Sequence, residues 1–289
     1  MTPLILGVAA ALSASAAVQG RADFEFRREL AQGRRFHLSN IIGDVQVTGG
    51  NGRTVEVTAV KRAGRYGEVE DVTVEMVELD DGVAICVRYP GQGTGSRRSR
   101  EGRPSKNPCS WDGWNNRSER NDTEVTFTVR VPAGLRLHIG TVSGSVHGEH
   151  LVGDLELTSV SGDVSLSDGT GPAIALETVS GDVDLREVRS AEVTGHTVSG
   201  EVLFQGPVQD KGSYEFYTTS GNIRLTLPEQ PNATLSAATF SGRFSSDLPT
   251  TANESRRRRH RHAATWGTGT ARLEIESLSG NIAISLARR

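Results

Sequence analysis

Seven Ser-Gly dipeptides constrain what this 289-residue chain can fold into more than any other feature. They are Ser143-Gly144, Ser161-Gly162, Ser180-Gly181, Ser199-Gly200, Ser220-Gly221, Ser241-Gly242 and Ser279-Gly280. The first five intervals between them are 18, 19, 19, 21 and 21 residues, and the last is 38. Self-similarity at this period is the mark of a repeat architecture. Each unit carries two short runs of alternating apolar residues, such as Leu155/Leu157 before a Ser-Gly and Val164/Leu166 after it. Alternation of period two is the pattern of a half-buried strand.

The repeat keeps its columns. Two residues before each serine stand Thr141, Ser159, Thr178, Thr197, Thr218, Thr239 and Ser277. Directly before it stand Val142, Val160, Val179, Val198, Thr219, Phe240 and Leu278, and two after each glycine Val146, Val164, Val183, Val202, Ile223, Phe244 and Ile282. Such identity suits strands stacked in register about 4.8 Å apart, one coil on the next. An antiparallel meander would match neighbouring units in reverse, with no reason to keep the columns. The expected fold is therefore all-β: a parallel, β-helix-like β-solenoid of about 19–21 residues per coil, following an N-terminal β region. Both apolar columns are expected to form a narrow continuous core, and the Thr/Ser column a ladder of hydroxyls. A chain with only 5% aromatics fits such a core better than a conventional sandwich.

On this reading Ser-Gly is a corner. Glycine is needed there because it adopts positive φ or lets the next coil's backbone come close, and serine bonds neighbouring backbone groups. Ser145, Asp163, Asp182, Glu201, Asn222, Arg243 and Asn281 follow the glycines. A row of carboxylates suits calcium in principle. The Gly-Gly-x-Gly-x-Asp pattern of calcium-binding repeats is absent, so these read as solvated turn residues and no metal or cofactor is expected.

Around the repeats the chain divides into three stretches. Residues 1–19 are apolar or small from Leu4 to Val18, too short for a membrane span, and read as a signal peptide. Residues 20–139 form an N-terminal β region with an irregular loop at 90–122. Residues 140–289 are the repeat region, with a basic loop at 250–268 inserted before a final coil that closes the stack. No later stretch is apolar enough to span a bilayer. Cys86 and Cys109 are the only cysteines, and export permits their pairing as a disulfide.

Chemistry is hard to find. Seven equivalent serines lack a recurrent histidine, and no Gly-x-Ser-x-Gly elbow is present, so no catalytic residue is assigned. His138, His147 and His150, with Glu149, would need a turn to converge on zinc, and read as surface residues. The block Arg256, Arg257, Arg258, Arg259 and Arg261, with His260 and His262, is a candidate site for an anionic partner, or a hydrophilic loop. Trp111 and Trp114 offer a stacking surface or simply anchor their loop. A net charge of -3 argues against a nucleic-acid partner.

The segment VPAGLRLHIGTVSGSV at 131–146, then SVSGDV, TVSGDV, TVSGEV, TTSGNI and SLSGNI, resembles the bacterial "putative adhesin" family of Ser-Gly-repeat β-solenoids. The early NIIGDVQV at 40–47 is similar to that family's first, degenerate coil. The resemblance implies an exported protein in the periplasm, the outer envelope or outside the cell, and implies no catalytic residues. The leading expectation is a non-enzymatic binding or scaffolding protein of the envelope, its partner a polysaccharide or another envelope protein. The alternatives are a polysaccharide-acting enzyme on the same scaffold and an accessory or sensor protein of an envelope-stress system.

Overall fold

The computed structural model describes residues 23–90, 108–109, 121–254 and 260–287. The proposed signal peptide, Trp111 and Trp114, and Arg256, Arg257, Arg258 and Arg259 lie outside them. Among the described residues the protein is almost entirely β-strand, arranged in two large mixed sheets of eleven and twelve strands.

Each repeat gives one strand to each sheet. Thr170–Ser180, for example, lies in the twelve-stranded sheet and Val183–Arg186, past the Ser-Gly corner, in the other. Repeats stacked on one another pair parallel and in register: Leu157 with Leu176, Ser161 with Ser180, Val164 with Val183. Alternation then decides burial. Leu155, Leu157, Ile174 and Leu176 point inward from one sheet and meet Val164, Leu166, Val183 and Leu185 from the other in a single apolar core. Where the core needs bulk, Phe204 packs on Tyr214 and Phe216. Gly195, beside Phe216, leaves room for that ring: a Cβ there would lie 3.0 Å from it.

The stack begins before the first Ser-Gly. Arg35–Ser39 pairs parallel with Leu135–Ser143, and Val45–Gly50 with Val146–Glu149. Between them Asn40-Ile41-Ile42-Gly43-Asp44 makes the first corner, with Ile42 bridged to Ser143. Beyond it both sheets change sense. Thr54–Arg62 lies antiparallel to Glu124–Pro132, and Thr73–Leu79 antiparallel to Gly82–Arg88.

The other end departs from the expected order. The last repeat in the chain does not close the stack; it lies between its two predecessors. Ala271–Ser279 is flanked by Ser213–Ser220 and Ala233–Ser241, and Ile282–Leu286 by Ile223–Leu227 and Phe244–Ser246. Equal columns make any repeat compatible with any neighbour, so position-by-position identity carries no information about stacking order. The stretch read as a basic loop also contains strands. Thr251–Glu254 and His260–Thr265 form an antiparallel hairpin whose second strand pairs with Ala233–Ser241 at the sheet margin. Edge strands are held by backbone bonds and need no apolar face, which is why no column could be read through them. Among the described residues no helix is long and apolar enough to cross a membrane.

Candidate binding surface

The corner is built from backbone and the Thr/Ser column. Thr178 Oγ1 donates to the carbonyl of Gly162 at 2.9 Å, Thr197 to Gly181 at 2.9 Å, Thr218 to Gly200 at 3.1 Å and Ser277 to Gly221 at 3.0 Å. Thr141, Ser159 and Thr239 do the same to Gly43, Gly144 and Gly280. The hydroxyls therefore bond a neighbouring repeat's glycine carbonyl and do not form a ladder among themselves. All seven are buried, where an unmet carbonyl would be costly.

The glycine is fixed by steric contact. A Cβ on Gly181 would lie 2.2 Å from the Gly162 carbonyl oxygen, and one on Gly280 1.8 Å from that of Gly221. Gly181 also has φ +157°, whereas Gly242 and Gly280 show the same crowding without that conformation. Close approach of the stacked backbone is thus the requirement common to every corner. The serines contribute their backbones: Gly162 N–H donates to Ser180 O and Gly181 N–H to Ser199 O, both at 3.0 Å. Their side chains are exposed.

The position after the glycine is a second ladder. Asp182 N–H donates to Asp163 Oδ1 at 2.8 Å and Glu201 N–H to Asp182 Oδ1 at 2.7 Å. Asn281 N–H donates to Asn222 Oδ1 and Arg243 N–H to Asn281 Oδ1. Each of these side-chain oxygens takes the amide of the next corner. Glu201 is further held by Asn222 and Arg224.

The column directly before the serine overturns the expectation of a core. Val142, Val160, Val179, Val198, Phe240 and Leu278 are 41–48% exposed. They form an apolar row on the outer margin of the twelve-stranded sheet, interrupted by Thr219, with Tyr217 exposed alongside. Strand parity explains it: Leu137, Ile139 and Thr141 point inward, so Val142 points out. A file of large apolar side chains that the scaffold does not bury makes the row the candidate contact surface among the described residues.

Other residues singled out from sequence stay apart. His138 lies on the twelve-stranded sheet and His147 on the eleven-stranded one. His138 Nδ1 is 2.7 Å from Glu156, His147 Nδ1 2.8 Å from Ser165 Oγ, and His150 Nδ1 2.9 Å from Asp168. Each meets the next repeat, and the three do not converge. His37 stacks on His138 with ring centroids 4.5 Å apart. The hydrogen bond from His138, helped by the nearby charge of both imidazoles, holds Glu156 below its ordinary range. His196 is 3.5 Å from Glu215. Among the described residues no group of three or more His, Cys, Asp or Glu is placed to hold a metal ion. Cys86 and Cys109 are bonded, tying Cys109 to the outer side of Gly82–Arg88. Arg261 lines a depression of ≈ 200 Å³ together with Glu215, Glu274 and Glu276. Its charge faces carboxylates, a poor setting for an anionic partner.

A family model described as Toastrack DUF4097 matches residues 119–285, more than half of the chain. Two solved structures are similar to it. A "putative cell adhesion protein" of Clostridium sporogenes is 10% identical, with 91% of this chain and 99% of that chain covered and a TM-score of 0.33. A "putative adhesin" of Bacteroides fragilis is 12% identical, with 90% and 96% covered and a TM-score of 0.35. No curated protein matches the sequence.

Proposed function

The chain belongs to the Toastrack DUF4097 family, and from that premise we propose that it is an exported, non-enzymatic β-solenoid that binds or scaffolds at the cell envelope. Parallel, in-register pairing of consecutive repeats supports the coil reading. The Cys86–Cys109 bond and the apolar residues 4–18 support export, since disulfides persist in oxidising compartments.

The observation that carries binding is the exposed apolar row. Among the repeated side chains, threonine holds the carbonyl and the acidic or amide group holds the next amide, while glycine allows the approach. The serine side chains, also exposed, are small and polar and sit at ease in water. The row from Val142 to Phe240 has no such work within the scaffold, although a polar residue is tolerated there, as Thr219 demonstrates. The test combines cell fractionation with retention of the purified chain on envelope fractions. Wild type is expected outside the cytoplasm, and the triple variant Val160→Thr, Val179→Thr, Val198→Thr is expected to lose retention. Equal retention of both would remove the row as the binding surface.

A further inference from the structure

We propose that the partner seated on this row is a second copy of the chain, set antiparallel, in a reversible dimer; the proposal rests on reading the row as a contact surface. From Val142 to Phe240 the row runs six strand spacings, about 29 Å at ~4.8 Å each. In-register stacking keeps it continuous from strand to strand and one residue wide. Its bulk is graded: valines occupy the N-terminal half, Leu278 and Phe240 the far end. A two-fold axis crossing the row at Val198 places Val142 against Phe240, Val160 against Leu278 and Val179 against Thr219. Small then meets large at the outer positions, and the seam stays nearly even. A parallel pair would set Phe240 on Phe240 and Val142 on Val142, leaving a wedge.

Charge selects the same arrangement. Along the corner beside the row, Asp163 and Asp182 lie in the first half and Asn222, Asn281 and Arg243 in the second. The two-fold across the row brings corner to corner, so Asp163 faces Asn281, Asp182 faces Asn222, and Ser145 faces Arg243. Glu201 meets its own counterpart near the axis, but each is already paired with Arg224. On the opposite flank Glu177 faces Tyr217. The parallel alternative would oppose Asp182 to Glu177, and like charges set directly opposite repel. A surface complementary to itself about a two-fold is what an isologous dimer requires. A row of this width offers a few hundred Å² of apolar contact per copy, at the small end of specific interfaces, hence reversible association.

The experiment is sedimentation of the full chain from dilute solution up to a concentration on the order of 100 µM, where a small interface associates. Wild type is expected to dimerise. The triple Val→Thr variant, which copies Thr219, is expected to weaken association at least about tenfold with an unchanged melting temperature. Val160→Lys and Leu278→Asp are each expected to weaken it, and their mixture to restore it, because only an antiparallel pair brings position 160 against 278. A dimer insensitive to the triple variant, or a mixture that does not recover, overturns the proposal. So does a wild type that stays monomeric while its retention on envelope fractions still depends on the row; that outcome leaves the binding reading standing. A monomer with no such retention removes both.

Discussion

Val183 and Val179 stand on either side of one Ser-Gly, belong to columns of equal regularity, and meet opposite ends. Val183 is fully buried in the core, whereas Val179 is 45% exposed. The pattern holds at Val146 against Val142, Val164 against Val160 and Val202 against Val198. Column identity reports that repeats stack, because stacking places like residues side by side on either face of a sheet. Burial is reported by parity counted within one strand. Counted across the corner, positions four apart should share a face; the backbone turn at the glycine breaks that count. A regular apolar column is therefore evidence for register, and only its phase against the neighbouring strand says whether it faces core or solvent.

The most severe way to break the corner that separates the two columns is Gly181→Ala. The new Cβ would overlap the Gly162 backbone, and stacked neighbours on both sides cannot move apart without losing their bonds. A loss of about 3 kcal/mol or more is expected in urea unfolding. A melt within a degree of wild type would show that the stack opens easily there. The comparison itself is tested by Val183→Ala against Val179→Ala: about 2 kcal/mol for the buried residue, within about 0.5 kcal/mol for the exposed one. Equal costs would mean that the row is covered in solution. Thr178→Val against Ser180→Ala probes the corner's polar half. The first leaves the Gly162 carbonyl buried without its hydroxyl donor and should cost about 1–2 kcal/mol, the second less than about 0.5 kcal/mol.

The sequence made the repeat, the parallel register and the need for glycine legible, since each follows from spacing and small side chains. The first corner, Asn40-Ile41-Ile42-Gly43-Asp44, was also visible, although asparagine replaces the column's hydroxyl. Its side-chain amide donates to Gly43 O at 2.9 Å and Val125 O at 2.8 Å. The insertion of Ala271–Ser279 between earlier repeats was invisible, because residues that fit every neighbour specify none. The exposed row carries its signal in strand parity: Leu155, Leu157 and Ser159 share one face, which turns Val160 outward. The carboxylate-to-amide ladder lay beyond composition, since an aspartate bonding the next corner and one merely solvated read alike.

The smallest effect sharpens the contrast from the outer face, where side chains meet without a core to hold them. His138 and Glu156 touch across neighbouring repeats, but their side chains are 36% and 52% exposed. Glu156 is held below the ordinary carboxylate range chiefly by the hydrogen bond from His138. The folded chain thus binds that proton more weakly than the unfolded chain does. The pair's contribution is present above the unfolded value of about 4.3 and is lost as pH falls through the depressed folded value. Solvent screening limits it to a few tenths of a kcal/mol. Glu156→Gln should lower the urea midpoint slightly at about pH 6, and the difference should vanish once the pH falls below the depressed folded value. An identical decline of both proteins over that range would show that the pair does not favour the fold. A difference near that of Val183→Ala would show the outer face carrying stability like the core, and the row would then lose its standing as a surface the scaffold can spare.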